Sequence, residues 1–169
     1  MINLDADIVP GRSLGGFVLG EAALERVLAL QPGHRVAQRP ALDPRYTCVS
    51  IDEALLLIVD NRDFVVVNLA ARPGYRGRLF GYIGPGMRLR ELIAGASSAL
   101  LKTMSLRDEF LYLDRECSAA FRLPPEYDDV ADRVEHLPEE LMLDELYVLP
   151  ALMRRVPGRN GKPVWRPVD

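Results

Sequence analysis

One pattern occurs twice in this chain, and it restricts the fold more than any other feature. "GFVLGEAALERVLAL" from Gly16 aligns without a gap on "GYIGPGMRLRELIAG" from Gly81. The alignment pairs Gly16 with Gly81, Phe17 with Tyr82, Val18 with Ile83, Leu24 with Leu89, Val27 with Leu92 and Leu28 with Ile93. In both copies the apolar residues fall at i, i+3 and i+4, the spacing of one helix face. "QPGH" stops the first helix with a proline and a glycine, and the second is expected to run to about Met104.

Strand-like runs follow each helix. "RYTCVSID", "EALLLIVD" and "FVVVNLAA" are rich in β-branched and aliphatic residues, with turns at Asp52-Glu53 and "NRD". "EFLYLDRE", "CSAAFRLP" and "DELYVLPALM" repeat the order, with "PPEYDDVADRVEHLPEELM" inserted before the last. The expectation is an α+β protein built as a tandem duplication of a helix followed by an antiparallel β-meander. Neither unit can cover both faces of its own sheet, so the two must pack together or share a sheet. Residues 1–80 form the first unit and 81–152 the second, with an acidic insertion at 124–142. Residues 153–169 are a proline-rich basic tail.

The glycines of "SLGGFVLG" raise the question of a phosphate loop. A P-loop needs a lysine and a hydroxyl after its second glycine, where this chain has Phe17 and Val18. Neither Gly15, Gly16 and Gly20 nor Gly81, Gly84 and Gly86 has the dinucleotide-binding spacing. All six read as structural turns, supplying positive φ or close approach where a short strand turns into a helix.

Chemistry-bearing clusters are sparse. Cys48 and Cys117 are too few for a disulfide framework and read as buried thiols, and His34 and His136 as surface loop residues. Neither a Cys-x-x-Cys pair nor a calcium loop occurs, so no catalytic residue, cofactor or metal is expected. "RPGYRGR", with Arg72, Tyr75, Arg76 and Arg78, has the residue types for stacking and phosphate contact but reads as a polar connector. The net charge of −3 disfavours nucleic acid. No apolar run reaches the roughly 20 residues of a membrane span, and the N-terminus lacks signal-peptide character, which together imply a cytoplasmic protein.

Charge is unevenly placed. Glu126 to Glu145 holds nine acids against Arg133 alone. Glu126, Asp128, Asp129, Asp132, Glu135, Glu139 and Glu140 are the candidate partner-binding residues, suited to steering a basic protein.

The "GG-hydrophobic-x-x-G" opening, the helix "ALERVLAL", the hairpin and the second "GYIGPGMRLRELI" resemble small bacterial cytoplasmic immunity proteins encoded beside secreted toxins. The plan over residues 8 to 150 is also similar to that of the β-lactamase inhibitor protein, which grips an enzyme with a concave sheet. This chain departs from that secreted inhibitor in lacking disulfide pairs and a leader. The resemblance implies binding rather than catalysis: a monomer or homodimer that occludes the active site of a toxin. Two other readings stay open, a small hydrolase or ligand-binding protein with an acidic pocket between the units, and a structural assembly subunit.

Overall fold

The structure, a computed structural model, describes residues 2–30, 32–127, 133–151, 153–157 and 163–167, the last two stretches as backbone only. Asp128, Asp129 and Asp132 lie outside the described residues. Strands β1 (Ser13–Leu14) and β2 (Phe17–Val18) make a small hairpin, followed by α1 (Leu24–Leu30). The meander β3 (Val36–Pro40), β4 (Tyr46–Ile51), β5 (Leu55–Asp60) and β6 (Val66–Ala71) comes next. The second half runs β7 (Met87–Arg88), α2 (Leu89–Gly95), α3 (Ser98–Thr103), β8 (Ser105–Arg107), β9 (Phe110–Tyr112), β10 (Ala119–Arg122), β11 (Met142–Leu143) and β12 (Glu145–Val148). Two 3-10 turns, Pro125–Tyr127 and Val134–His136, lie between β10 and β11, and β13 (Met153–Pro157) pairs with β14 (Pro163–Pro167).

The protein is α+β, and its large element is one eight-stranded sheet in the order β3-β4-β5-β6-β12-β10-β9-β8. Every pairing in that sheet is antiparallel. The meander of the first half and the four strands of the second half meet last strand to last strand, at β6 and β12. Sharing a sheet is therefore how the two halves join. The lead-in to each helix is tied down alike. In the first half the amides of Gly20 and Ala23 donate to the carbonyls of Val66 and Phe64; in the second, those of Gly86 and Leu89 donate to the carbonyls of Leu143 and Leu141.

Burial explains why the central strands form. In β5, Leu55, Leu57 and Val59 face the main core while Leu56, on the other face, is also buried. A strand covered on both faces reads as a continuous apolar run rather than an alternation, which is what "LLLIVD" is. Val27 of α1 and Leu89 and Leu92 of α2 all enter the larger core cluster, so both helices lie against one face of the sheet.

Three expectations need correction. The second helix does not run unbroken to Met104: α2 ends at Gly95, and the Ser97 hydroxyl accepts from the Leu100 amide to start α3 afresh. Strands β3 and β8 are additions, since "VAQRP" and "SLR" carry no apolar alternation. Of the helix residues aligned above, Leu24, Leu28 and Ile93 are exposed, and only Val27, Leu89 and Leu92 are buried. Gly15, Gly16, Gly20, Gly81 and Gly86 have positive φ, and Gly84 is a close approach, where a Cβ would meet the Arg78 guanidinium.

Candidate functional site

The acidic insertion is held from within. Leu137 and Leu141 are buried in the core and Val134 and Tyr127 pack on it. Glu140 forms ion pairs with Arg88, at 2.8 Å, and with Arg90. Hydrogen bonds from the amides of Leu89 and Arg90 to the carbonyls of Leu141 and Glu139 fix the segment beside α2. Glu126, Glu135 and Glu139 are exposed, and Glu126 and Glu135 sit in the two 3-10 turns. The four described acids are therefore spread over two 3-10 turns and the segment beside α2. The insertion also walls an apolar groove of about 550 Å³ floored by Ile93, Leu101, Met104 and Leu106.

His34 is half-buried, and its Nδ1 lies 2.7 Å from Asp52 Oδ2, joining the end of α1 to the β4–β5 turn. That bond and the amide of Arg35 hold the Asp52 carboxyl below the usual carboxylate range. Both cysteines are free and buried, but Cys117 is not in a strand: it occupies the turn before β10 at φ 52°. Burial pushes its thiol upward, away from the reactive thiolate. Among the described residues no group of three or more His, Cys, Asp or Glu could hold a metal ion, and no helix is long and apolar enough to cross a membrane.

"RPGYRGR" is no stacking platform. Tyr75 is buried, its hydroxyl accepting from the Gly15 amide at 2.9 Å and donating to the Ala6 carbonyl at 2.8 Å. Arg76 pairs with Asp5. Arg72 reaches instead across the sheet to Glu145, at 2.7 Å.

That last contact belongs to a polar and aromatic arrangement on the sheet face opposite the helices. Register brings it together. Glu145 of β12 is the Cα partner of Arg122 of β10, Arg122 of Phe110 of β9, and Phe110 of Arg107 of β8. One step along, Tyr147, Ala120 and Tyr112 form the parallel row. The second carboxylate oxygen of Glu145 accepts from the Tyr147 hydroxyl at 3.2 Å, and Arg122 donates to Glu109 at 3.0 Å. Phe110 packs edge-on against Tyr147, with centroids 5.5 Å apart, and lies 5.9 Å from Tyr112. Burial, reinforced by the Glu145 charge, pushes the Tyr147 phenol up to about 12.

Beside this row a groove of about 470 Å³ crosses the junction of the two halves. Leu56, Ile58 and Cys48 form its floor, and Arg39, Arg122 and the fully exposed Leu42 stand on its rim. The buried members of the face, Cys48, Leu56, Ala70 and Tyr147, form a second hydrophobic cluster to which no described helix residue contributes. No family model, curated protein or solved structure matches the chain.

Of the acids named from the sequence, the four within the described residues, Glu126, Glu135, Glu139 and Glu140, do not line this groove. The residues of the face are distant in the chain, and what marks them is alternation: Phe110 and Tyr112, Ala120 and Arg122, Glu145 and Tyr147 each recur at every second position.

Proposed function

We propose that this protein is a non-enzymatic binding module, an immunity-type inhibitor that neutralises a toxin by lying over its active site with the helix-free face of the eight-stranded sheet. The observation that carries the reading is the composition of that face. Arginine, tyrosine and phenylalanine alternate across β8, β9, β10 and β12, and tyrosine and arginine are the residues that most often supply the binding energy of protein interfaces. The face is also preorganised: Arg72, Glu145, Tyr147 and Phe110 fix one another, which lowers the ordering cost of association. Joining two meanders in one sheet gives that face its width, and a tandem duplication of the unit would explain the matched ties at Gly20 and Gly86. In this reading the protein works in the bacterial cytoplasm, where the toxin's target lies.

The pocket-enzyme reading gains no such support. The described carboxylates with displaced pKa values, Asp5, Asp52 and Asp60, are all lowered, whereas a general acid at neutral pH needs one raised.

The test is to purify the tagged chain from its native cell, identify a stoichiometric companion, and assay that companion's toxicity with and without the chain. A companion whose activity is abolished at equimolar ratio supports inhibition. A companion whose activity is unchanged sinks it.

A further inference from the structure

Leu79 and Ile83 bridge antiparallel around a turn that leads into the second half's helix. Continuing the 65-residue alignment two places upstream pairs Leu14 with Leu79 and Gly15 with Phe80. Gly15 and Phe80 both hold a left-handed backbone, at φ 61° and 53°, which glycine adopts freely and a bulky residue only under strain. In the first half the turn is closed into the core: Gly15 packs against Leu55 and Tyr75, and Phe17 is buried. In the second half Phe80 is 53% exposed, and Tyr82, which aligns with Phe17, is 36% exposed. The chain therefore holds a strained backbone in order to present an aromatic ring to water, and nothing within the chain offsets that strain. Beside the ring lies a groove of about 390 Å³ lined by Tyr82, Ala99, Leu100 and Leu113, with the Tyr82 ring against Gly95 at the end of α2. An apolar cavity of about 150 Å³ is enough to hold benzene, so the groove has room for a phenyl ring, yet Phe80 stands at its wall.

We propose that this surface is the interface of a two-fold homodimer, in which the Phe80 ring of each copy enters the groove of the other. Adjacency selects the occupant. An exposed ring needs an apolar hollow, the hollow needs an apolar filling, and this chain presents the two side by side. A two-fold axis satisfies both at once, because an isologous interface uses one patch twice. The charge of the lining agrees, since it holds one acid and one base, Asp114 and Arg115, and a second copy brings no excess of either sign. Asp114 is in any case occupied, accepting from the amides of Ser118 and Ala119 and from the Ser118 hydroxyl. An aromatic side chain seated in a pocket is the kind of contact that dominates an interface. No residue lining this groove lines the groove on the helix-free face, so a dimer here neither requires nor excludes the inhibitor reading.

Sedimentation of the full chain across a dilution series is the test. The parent should sediment as a dimer when concentrated and as a monomer when dilute. Phe80→Gly installs the residue of the first turn and relieves the left-handed strain, so it should leave the melting temperature of the dilute monomer within a few degrees of the parent's. It should nonetheless weaken self-association about tenfold or more. Ala99→Arg, at an exposed position of α3, should weaken it comparably by blocking the groove. Native-like amide spectra certify both variants. The decisive measurement is their mixture: Phe80→Gly keeps an open groove and Ala99→Arg keeps a projecting ring, so together they recover one of the two contacts. The mixed dimer should therefore be tighter than either self-association. A parent that stays monomeric throughout, a Phe80→Gly chain that dimerises as well as the parent, or a mixture that gains nothing overturns the inference. So does a monomeric parent whose native companion is lost on Phe80→Gly, since the groove would then belong to that companion.

Discussion

Arg72 and Glu145 meet across the seam between β6 and β12, where the guanidinium donates through Nε at 2.8 Å to a carboxylate oxygen that also lies 2.7 Å from Nη2. The pair closes the sheet where the two halves hydrogen-bond strand to strand, β6 to β12. About a quarter of each side chain is exposed, 22% and 25%, so the bond is worth more than a surface pair and less than a buried one. Arg72→Ala and Glu145→Ala should each cost about 1–2 kcal/mol in urea unfolding. Glu145→Ala is the more costly, because the Tyr147 hydroxyl loses its acceptor as well. The double variant should fall short of the sum by about 0.5–1 kcal/mol, and strict additivity would refute the coupling.

Glycine substitutions separate strain from collision. At Gly77 a Cβ would stand 1.8 Å from the Ala6 carbonyl oxygen, a backbone atom that cannot step aside. Gly77→Ala should therefore cost more than about 2 kcal/mol. Gly81 has open space around its would-be Cβ but φ of +82°. Gly81→Val pays only for the left-handed backbone, about 1–2 kcal/mol, and Gly16→Val, at φ 91°, should cost more than about 1 kcal/mol for the same reason. Equal losses at Gly77 and Gly81 would show that the backbone at Ala6 yields.

How far the sequence specified this fold follows from where burial is two-sided. Strands β4, β5 and β6 are readable because their residues are apolar on one face or both. Strand β3 is not, because an edge strand with four of its five residues exposed has no core to record in its composition. The helix break at Ala96–Ser97 is set by a cap, a single hydroxyl, which apolar periodicity does not register. The helix-free face was hidden for a different reason. Arg72, Phe110, Arg122 and Glu145 become neighbours only through register across four strands, and no local spacing encodes which strand pairs with which. The acids of the insertion were conspicuous because they are contiguous in sequence, yet Glu140 turns out to serve Arg88 and Arg90.

Alkaline unfolding should report Tyr147. Burial first, and the Glu145 charge second, hold its phenol protonated up to about 12 in the folded chain, against about 10 when unfolded. The folded state thus keeps a proton that the unfolded state releases. The stabilisation is complete below pH 10 and is lost as pH rises from about 10 to 12. Tyr147→Phe should make stability less steep in that interval by up to about 1.4 kcal/mol per pH unit. A slope identical to the parent's would place the phenol in a freely ionising environment.

At the acid end the relevant group is Asp60, whose carboxylate accepts from the Arg62 amide and from Arg45 Nε and Nη2. The Arg62 bond and then the Arg45 bond lower its pKa. A lowered folded pKa gives stability that is present above the unfolded value near 4 and disappears as pH falls below it. Asp60→Asn should be less stable than the parent at pH 7 and should lose less on acidification. If both proteins respond alike between about pH 4 and 2, Asp60 is not the group that acid attacks.

What holds the acidic insertion in place decides whether its charges can be tested at all. Glu140, about half exposed, is tied to two arginines that are themselves about half exposed, and such pairs contribute about 0–1 kcal/mol. Leu141, 8% exposed and packed in the main core, carries the anchoring, and Leu141→Ala should cost about 2–3 kcal/mol. Reversing Glu139 and Glu140 to lysine should thus leave the melting temperature within a few degrees of the parent's. With the fold preserved, the association rate with the native companion reads the insertion's charges alone. Docking through the arginine and tyrosine face predicts an unchanged or faster rate at low salt, whereas a marked slowing would return the insertion to the interface.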